Sequence, residues 1–132
     1  MTVFVDTSAF YAILDAEDSH HKQAAETLKN LHEAGAHLVT SNYVIAECCA
    51  LIQKRLGMKI ASAFRSHMLP IVTVSWVGEG VHEEGFNYFL TCSRGGPSFV
   101  DSVSFTVMRK VRTEKVFAFD QHFLEQGFEC LP

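Results

Sequence analysis

Apolar and polar positions alternate between two periods along the chain. Val3-Phe4-Val5 is a compact apolar run, and it predicts a strand over Thr2 to Val5. Thr7 or Ser8 can cap a helix running through about Leu14, and Asp15 to Ser19 is a polar turn. From Ser19 to Ala34 the pattern is helical, with Ala24, Ala25, Leu28 and Leu31 on one side. Gly35 suits a left-handed helix end. His37 to Thr40 predicts a second strand, and Ser41 or Asn42 caps a helix to about Arg55, with Gly57 beyond it. A helix follows over about Met58 to Met68, Pro70 breaks it, and Ile71 to Trp76 reads as a third strand. Val81 to Cys92 reads as a helix that Gly85 weakens by about 1 kcal/mol relative to alanine. After the loop Ser93 to Ser98, Ser98 caps a helix to about Val111. A strand over Val116 to Phe119, a short helix over Gln121 to Gln126 and a strand near Phe128 to Leu131 complete the pattern.

Strands separated by helices imply an α/β fold: three layers, α/β/α, around a central, mostly parallel sheet of four to five strands. With 132 residues and no linker or repeat, one domain over residues 1–132 is expected. Open sheets of this kind place their sites at the carboxyl ends of strands. Asp6 and Asp120 each follow an apolar strand, at that rim. Either can be explained as a helix cap.

Two further acids sit in apolar surroundings. Glu47 lies between Val44 and Leu51 on the helix Ser41 to Arg55, beside its apolar stripe, although Lys54 or water could satisfy it. Asp101 stands three residues after Ser98, a capping-box spacing, and Phe105 and Met108 continue its face towards the core. Each acid alone has an innocent account. Four carboxylates on one rim repel one another unless a cation neutralises them. An all-oxygen cluster suits hard ions such as Mg²⁺ or Mn²⁺, and such ions activate water and stabilise phosphodiester transition states.

Composition narrows the class further. Apolar residues make up 48% of the chain, enough for a solid core, and no apolar run is long enough to span a bilayer. No basic patch precedes the first apolar run and Asp6 interrupts it, so no signal peptide is expected. Cys48, Cys49, Cys92 and Cys130 form no C-x-x-C pair, which points to free thiols in a reducing cytoplasm. The seven histidines, including His20 and His21, are scattered and read as surface residues. Net charge is −4, yet nine of the eleven basic residues follow residue 50, which leaves room for a basic rim.

With these features in place, the chain resembles the PIN domain, the small ribonuclease fold of VapC-type toxins of toxin–antitoxin pairs. The segments that carry the resemblance are VFVDTSAFYAILDAEDSHH, TSNYVIAECCALI, GGPSFVDSVSFTVMRK and VFAFDQHF. Residues from about Leu56 to Arg94 match only in general helix–strand character. The resemblance implies catalytic metal ligands at Asp6, Glu47, Asp101 and Asp120, with Ser8 as the supporting hydroxyl. It implies Mg²⁺ or Mn²⁺ as cofactor and in-line hydrolysis of RNA phosphodiesters without a protein nucleophile. A further acid sometimes found two residues after the last Asp is replaced by His122, which becomes a candidate contact for substrate phosphate. Arg94, Lys54 and Arg55 are candidates for holding the RNA backbone. Phe10, Tyr11 and Ile13 resemble an antitoxin groove, with core packing as the competing account. A small antitoxin and a homodimer are the implied partners.

Aspartyl-phosphate enzymes also place an Asp at a strand end. Haloacid-dehalogenase-like phosphatases need a second Asp two residues on, where Ser8 stands, and receiver domains need a Lys after the last strand, which is missing beyond Asp120. Two readings within the fold stay open beside the toxin: an RNase of RNA maturation or decay, and a non-catalytic interaction module.

Overall fold

The computed structural model describes residues 1–132 and contains five strands and seven α-helices. In chain order these are β1 (Thr2–Val5), α1 (Thr7–Leu14), α2 (His21–Glu33), β2 (His37–Ser41), α3 (Asn42–Arg55) and α4 (Met58–Ala63). They continue as β3 (Thr73–Ser75), α5 (Glu79–Phe89), α6 (Phe99–Lys110), β4 (Lys115–Phe117), α7 (Gln121–Glu125) and β5 (Glu129–Leu131). The strands form one sheet in the order β3-β2-β1-β4-β5, and every neighbouring pair is parallel. The three-layer α/β fold is therefore as expected, with five strands and no antiparallel edge.

Connections from β1 to β2 to β3 run one way across the sheet, and the return to β4 and on to β5 runs from the other side. Right-handed crossovers then put α1 to α4 on one face and α5 to α7 on the other. The direction reverses between β1 and β4, so a crevice opens outside their carboxyl ends. Asp6 follows β1 there, and Asp120 follows β4 after Ala118 and Phe119. The crevice is closed from below by the sheet itself. Asp6 N–H donates to Phe117 O at 3.0 Å, and the buried Thr40 hydroxyl donates to Val5 O at 2.9 Å.

A core of 24 buried apolar residues is continuous across both faces. Val3, Phe4, Val116 and Phe117 are fully buried, as expected for strands covered on both sides. The core includes Phe10, which meets Phe64 edge-on at a centroid distance of 5.4 Å. Phe10 is thus a core residue and not part of a surface groove, whereas Tyr11 and Ile13 are half-buried. Ala25, expected on the buried side of α2, is exposed.

Element limits differ from expectation where side chains or turns intervene. α2 begins at His21, because Asp15 and Asp18 accept bonds from the backbone of Glu17 and His20 and wind the preceding chain into turns. The expected helix Met58 to Met68 stops at Ala63, then widens into a π-helical turn over Phe64–Met68 and tightens into a 3₁₀ turn over Leu69–Ile71. Pro70 fits inside that last turn, so β3 starts only at Thr73 and ends at Ser75. β4 ends at Phe117, two residues short of Phe119. α5 spans Glu79–Phe89, not Val81 to Cys92, and its Gly85 has a packing reason. A Cβ there would lie 2.7 Å from Val103 Cγ2 and 3.0 Å from Val103 Cα, so glycine lets α5 approach α6 closely. Gly35 adopts φ +68°, the left-handed cap expected after α2.

Candidate metal centre

Three of the four acids are built into helix starts, and the local bonds explain why they sit so rigidly. Asp6 is the N-cap of α1: its Oδ2 accepts the Ser8 backbone N–H at 3.1 Å and the Ser8 hydroxyl at 2.6 Å. Ser8 Oγ also accepts the Phe119 N–H at 2.9 Å, so one serine ties the ends of β1 and β4 together. Asp101 forms a reciprocal capping box with Ser98. Its Oδ2 accepts Ser98 N–H at 3.0 Å while Ser98 Oγ accepts Asp101 N–H at 3.1 Å. Asp120 caps α7, and its Oδ1 accepts His122 N–H at 2.9 Å.

The capping account and the ligand account are therefore compatible. Each aspartate uses one oxygen to hold its own helix and leaves the other without a protein donor. The free oxygen of Asp6, Oδ1, is fully buried and has no partner. A buried carboxylate oxygen left bare is costly unless something positive meets it.

α6 brings Asp101 to the crevice because its first turn is anchored by aromatic contacts. Phe99 packs against Tyr43 of α3 and against His82, Phe86 and Phe89 of α5, with centroids 5.1 to 5.8 Å apart. The Tyr43 hydroxyl is hydrogen-bonded to His82 Nδ1. Glu47 stands one turn after Tyr43 on α3 and is half-buried. The ion pairs of the protein do not include it, so Lys54 does not neutralise it.

The electrostatics couple the four acids. Burial pushes the Asp6 carboxyl from its ordinary 3.8 up to about 7; the two bonds from Ser8 oppose this, and the charges of Asp101 and Glu47 add to it. Burial likewise raises Asp101, against the bonds from Ser98 and with help from the charges of Asp120 and Glu47. Asp101, Asp120 and His122 each offer one ligand atom, and the three atoms lie within 4.8 Å of one another. Burial lowers the His122 pKa, but Glu125, Asp120 and Asp101 outweigh it and the net shift is upward. The nearby Cys48 thiol is pushed far up by burial, so it offers no thiolate at neutral pH.

Together these residues fit a hard divalent cation. The donors are carboxylate oxygens with one imidazole at the edge, one buried oxygen is orphaned, and like charges crowd with no lysine or arginine paired to them.

Two histidines were underread in the sequence. His122 joins the acid cluster, and the signal was its place two residues after Asp120 with Glu125 three further on. His20 lies flat on Phe119, with centroids 4.4 Å and planes 15° apart, beside Asp120. Nothing in the local sequence shows that contact, because it joins the turn before α2 to the end of β4. Of the basic candidates, Arg94 is exposed on the loop leading to Ser98, Lys54 is exposed, and Arg55 sits over the Tyr11 ring at 5.6 Å. All four cysteines are free. No helix is long and apolar enough to cross a membrane.

A parallel sheet that reverses direction between β1 and β4, with acids at both strand ends and on two flanking helices, defines a compact acid-centred α/β domain. The chain belongs to the PIN domain family, which it matches over residues 3–129. It is 34% identical over 128 residues to the 23S rRNA-specific endonuclease VapC20 of Mycobacterium tuberculosis, in both strain CDC 1551 / Oshkosh and strain ATCC 25618 / H37Rv. That span covers 96% of this chain and 95% of each relative. The crystal structure of M. tuberculosis VapC20, described as a sarcin–ricin loop cleaving toxin, superposes with a TM-score of 0.85 at 32% identity. The match covers 98% of this chain and 99% of that one.

Proposed function

We propose that this chain is a divalent-metal-dependent endoribonuclease, the toxin of a toxin–antitoxin pair, and that it cuts the sarcin–ricin loop of 23S rRNA. The observation that carries the metal site is the shared design of Asp6, Asp101 and Asp120, each holding its helix with one oxygen and leaving the other free. The likeness to VapC20 over nearly the whole chain supports the substrate.

Asp6, Glu47, Asp101 and Asp120 hold Mg²⁺ or Mn²⁺. Bound there, the cation supplies charge neutralisation at the scissile phosphate and lowers the pKa of the attacking water. The protein's own part is orientation. Ser8 fixes Asp6 and couples it to the end of β4, and Ser98 fixes Asp101. Arg94 and Lys54 face solvent and are candidates to take up RNA phosphates, while the exposed ring of His20, backed by Phe119, offers a flat face for an unstacked base. Tyr11 and Ile13 of α1 contribute to an antitoxin surface, and the chain acts as a homodimer in the cytoplasm.

The test is cleavage of purified RNA by wild type and Asp6→Asn, with Mn²⁺, Mg²⁺ or EDTA. The expected result is cutting by wild type with either ion and none by the variant or in EDTA. Equal activity of wild type and variant, or activity that survives EDTA, sinks the reading.

A further inference from the structure

His122 stands where the sequence suggested a phosphate contact, but its surroundings are those of a metal ligand. Its ring is mostly covered, with 19% of the side chain exposed. One ring edge faces outward: Nδ1 lies 3.3 Å from Glu125 Oε2, one turn on along α7. The other edge faces inward: Nε2 lies 4.0 Å from Asp120 Oδ1, too far for a hydrogen bond. One ring nitrogen, one Asp101 oxygen and one Asp120 oxygen lie within 4.8 Å of one another.

Ligand bonds of about 2.1 Å put two donors roughly 3.0 to 4.2 Å apart across a common cation. The 4.0 Å from Nε2 to Asp120 Oδ1 falls in that range, and donors at the 4.8 Å limit need to close by only about 0.6 Å to share an ion. The outward contact matters equally. A histidine that ligates a metal commonly donates its other N–H to a carboxylate, which fixes the tautomer and turns the free lone pair towards the ion. Glu125 is placed to do this for His122. The backbone helps as well, because His122 N–H donates to Asp120 Oδ1 and so locks the relative position of the two residues.

Resting on the metal-nuclease reading above, we infer that His122 is a nitrogen ligand of the cation held by Asp101 and Asp120, oriented by Glu125. The site is then a carboxylate cluster with one imidazole. Nitrogen ligation favours a transition ion such as Mn²⁺ over Mg²⁺, which takes oxygen ligands. His122→Ala therefore lowers Mn²⁺ affinity more than Mg²⁺ affinity.

The test uses the purified full chain with Mn²⁺ as probe, read by pulsed electron paramagnetic resonance and by titration calorimetry. Wild type carrying ordinary ¹⁴N-histidine is expected to show imidazole nitrogen coupling to Mn²⁺, and the ¹⁴N pattern is expected to change to ¹⁵N when histidine alone is labelled. His122→Ala is expected to lose the coupling and to bind Mn²⁺ about 10- to 100-fold more weakly, with a smaller change for Mg²⁺. The labelled wild type shows whether a histidine is a ligand, and His122→Gln, which keeps bulk and polarity, assigns it if the alanine variant folds poorly. Asp101→Asn separates the two levels of the argument. If wild type binds Mn²⁺, Asp101→Asn does not, and no histidine nitrogen is coupled, the acid site stands and the His122 ligand is overturned. If coupling is present in wild type and persists in His122→Ala, another histidine is the ligand and the inference is equally overturned. If wild type binds no Mn²⁺, both fall.

Discussion

Replacing Asp6 by asparagine is expected to stabilise the metal-free protein while destroying its metal site. The reason is the position of the carboxyl, 3% exposed with Oδ1 unpartnered and the charges of Asp101 and Glu47 nearby. Its pKa rises from 3.8 in the unfolded chain to about 7 in the folded one. At about 1.4 kcal/mol per pH unit, that difference corresponds to at most about 4 kcal/mol. Relaxation around the charge reduces the expected figure to about 2 to 4 kcal/mol. The sign follows from proton binding. Between pH 4 and 7 the folded state holds the Asp6 proton more tightly than the unfolded state, so this contribution is complete below pH 4. It is lost as pH rises to 7 and is constant above. Asparagine has no such loss, and its amide can keep the Ser8 bonds through its oxygen. Wild type and Asp6→Asn should therefore have similar stability at pH 4 and diverge by pH 8. For a chain of this size the variant's Tm should then be higher by about 5 to 15 °C. Thermal unfolding in EDTA across pH 4 to 8 measures the difference directly. Mn²⁺ at a thousandfold excess over Kd should reverse the order, adding about 4.1 kcal/mol to wild type and little to the variant. A stability difference that stays constant from pH 4 to 8, or a variant less stable than wild type at pH 8 without metal, would refute the reasoning.

Three further expectations follow from other contacts. Gly85→Ala improves helix propensity by about 1 kcal/mol, yet its new methyl meets Val103, so a net loss of about 1 to 3 kcal/mol is expected in urea unfolding; a gain would show that α5 is free to move away. Ser8→Ala removes the donor to Asp6 and strands the Phe119 N–H, which should cost about 1 to 3 kcal/mol in stability and slow RNA cleavage, with partial rescue by Ser8→Thr; unchanged stability and rate would contradict its bridging role. Metal binding must displace the Asp6 proton, so Mn²⁺ affinity should rise with pH up to about 7, with proton release visible as a buffer-dependent heat in calorimetry; a flat pH profile would contradict it.

The strands were legible because strands buried on both faces leave compact apolar runs. Val3 to Val5 and Val116 to Phe117 are such runs, and their ends mark the rim where Asp6 and Asp120 stand. Asp101 and Ser98 were legible as a capping box, and the structure contains that box, but the spacing alone says nothing of what meets the second oxygen. The segment Ala63 to Ile71 was not legible. Its π-helical and 3₁₀ turns depend on burying Phe64 and Met68 against the core, a tertiary demand that overrides the simple rule that proline ends a helix. Gly85 read as a defect because its partner, Val103, comes eighteen positions later in the chain, beyond any local pattern. His20 was missed, and His122 was read only as a candidate phosphate contact, for different reasons. The His20 stack is a contact between distant segments, whereas His122 sits beside Asp120 and became meaningful only when α6 carried Asp101 to the same place.

The central claim is that four carboxylates hold a cation that cuts one RNA loop. The most direct measurement is primer extension on 23S rRNA from intact ribosomes incubated with purified protein and Mn²⁺, comparing wild type with Asp101→Asn. The account predicts a single new stop within the sarcin–ricin loop for wild type, absent in EDTA and absent for the variant. A stop that persists in Asp101→Asn or in EDTA, or no stop in that loop with metal-loaded wild type, would contradict it.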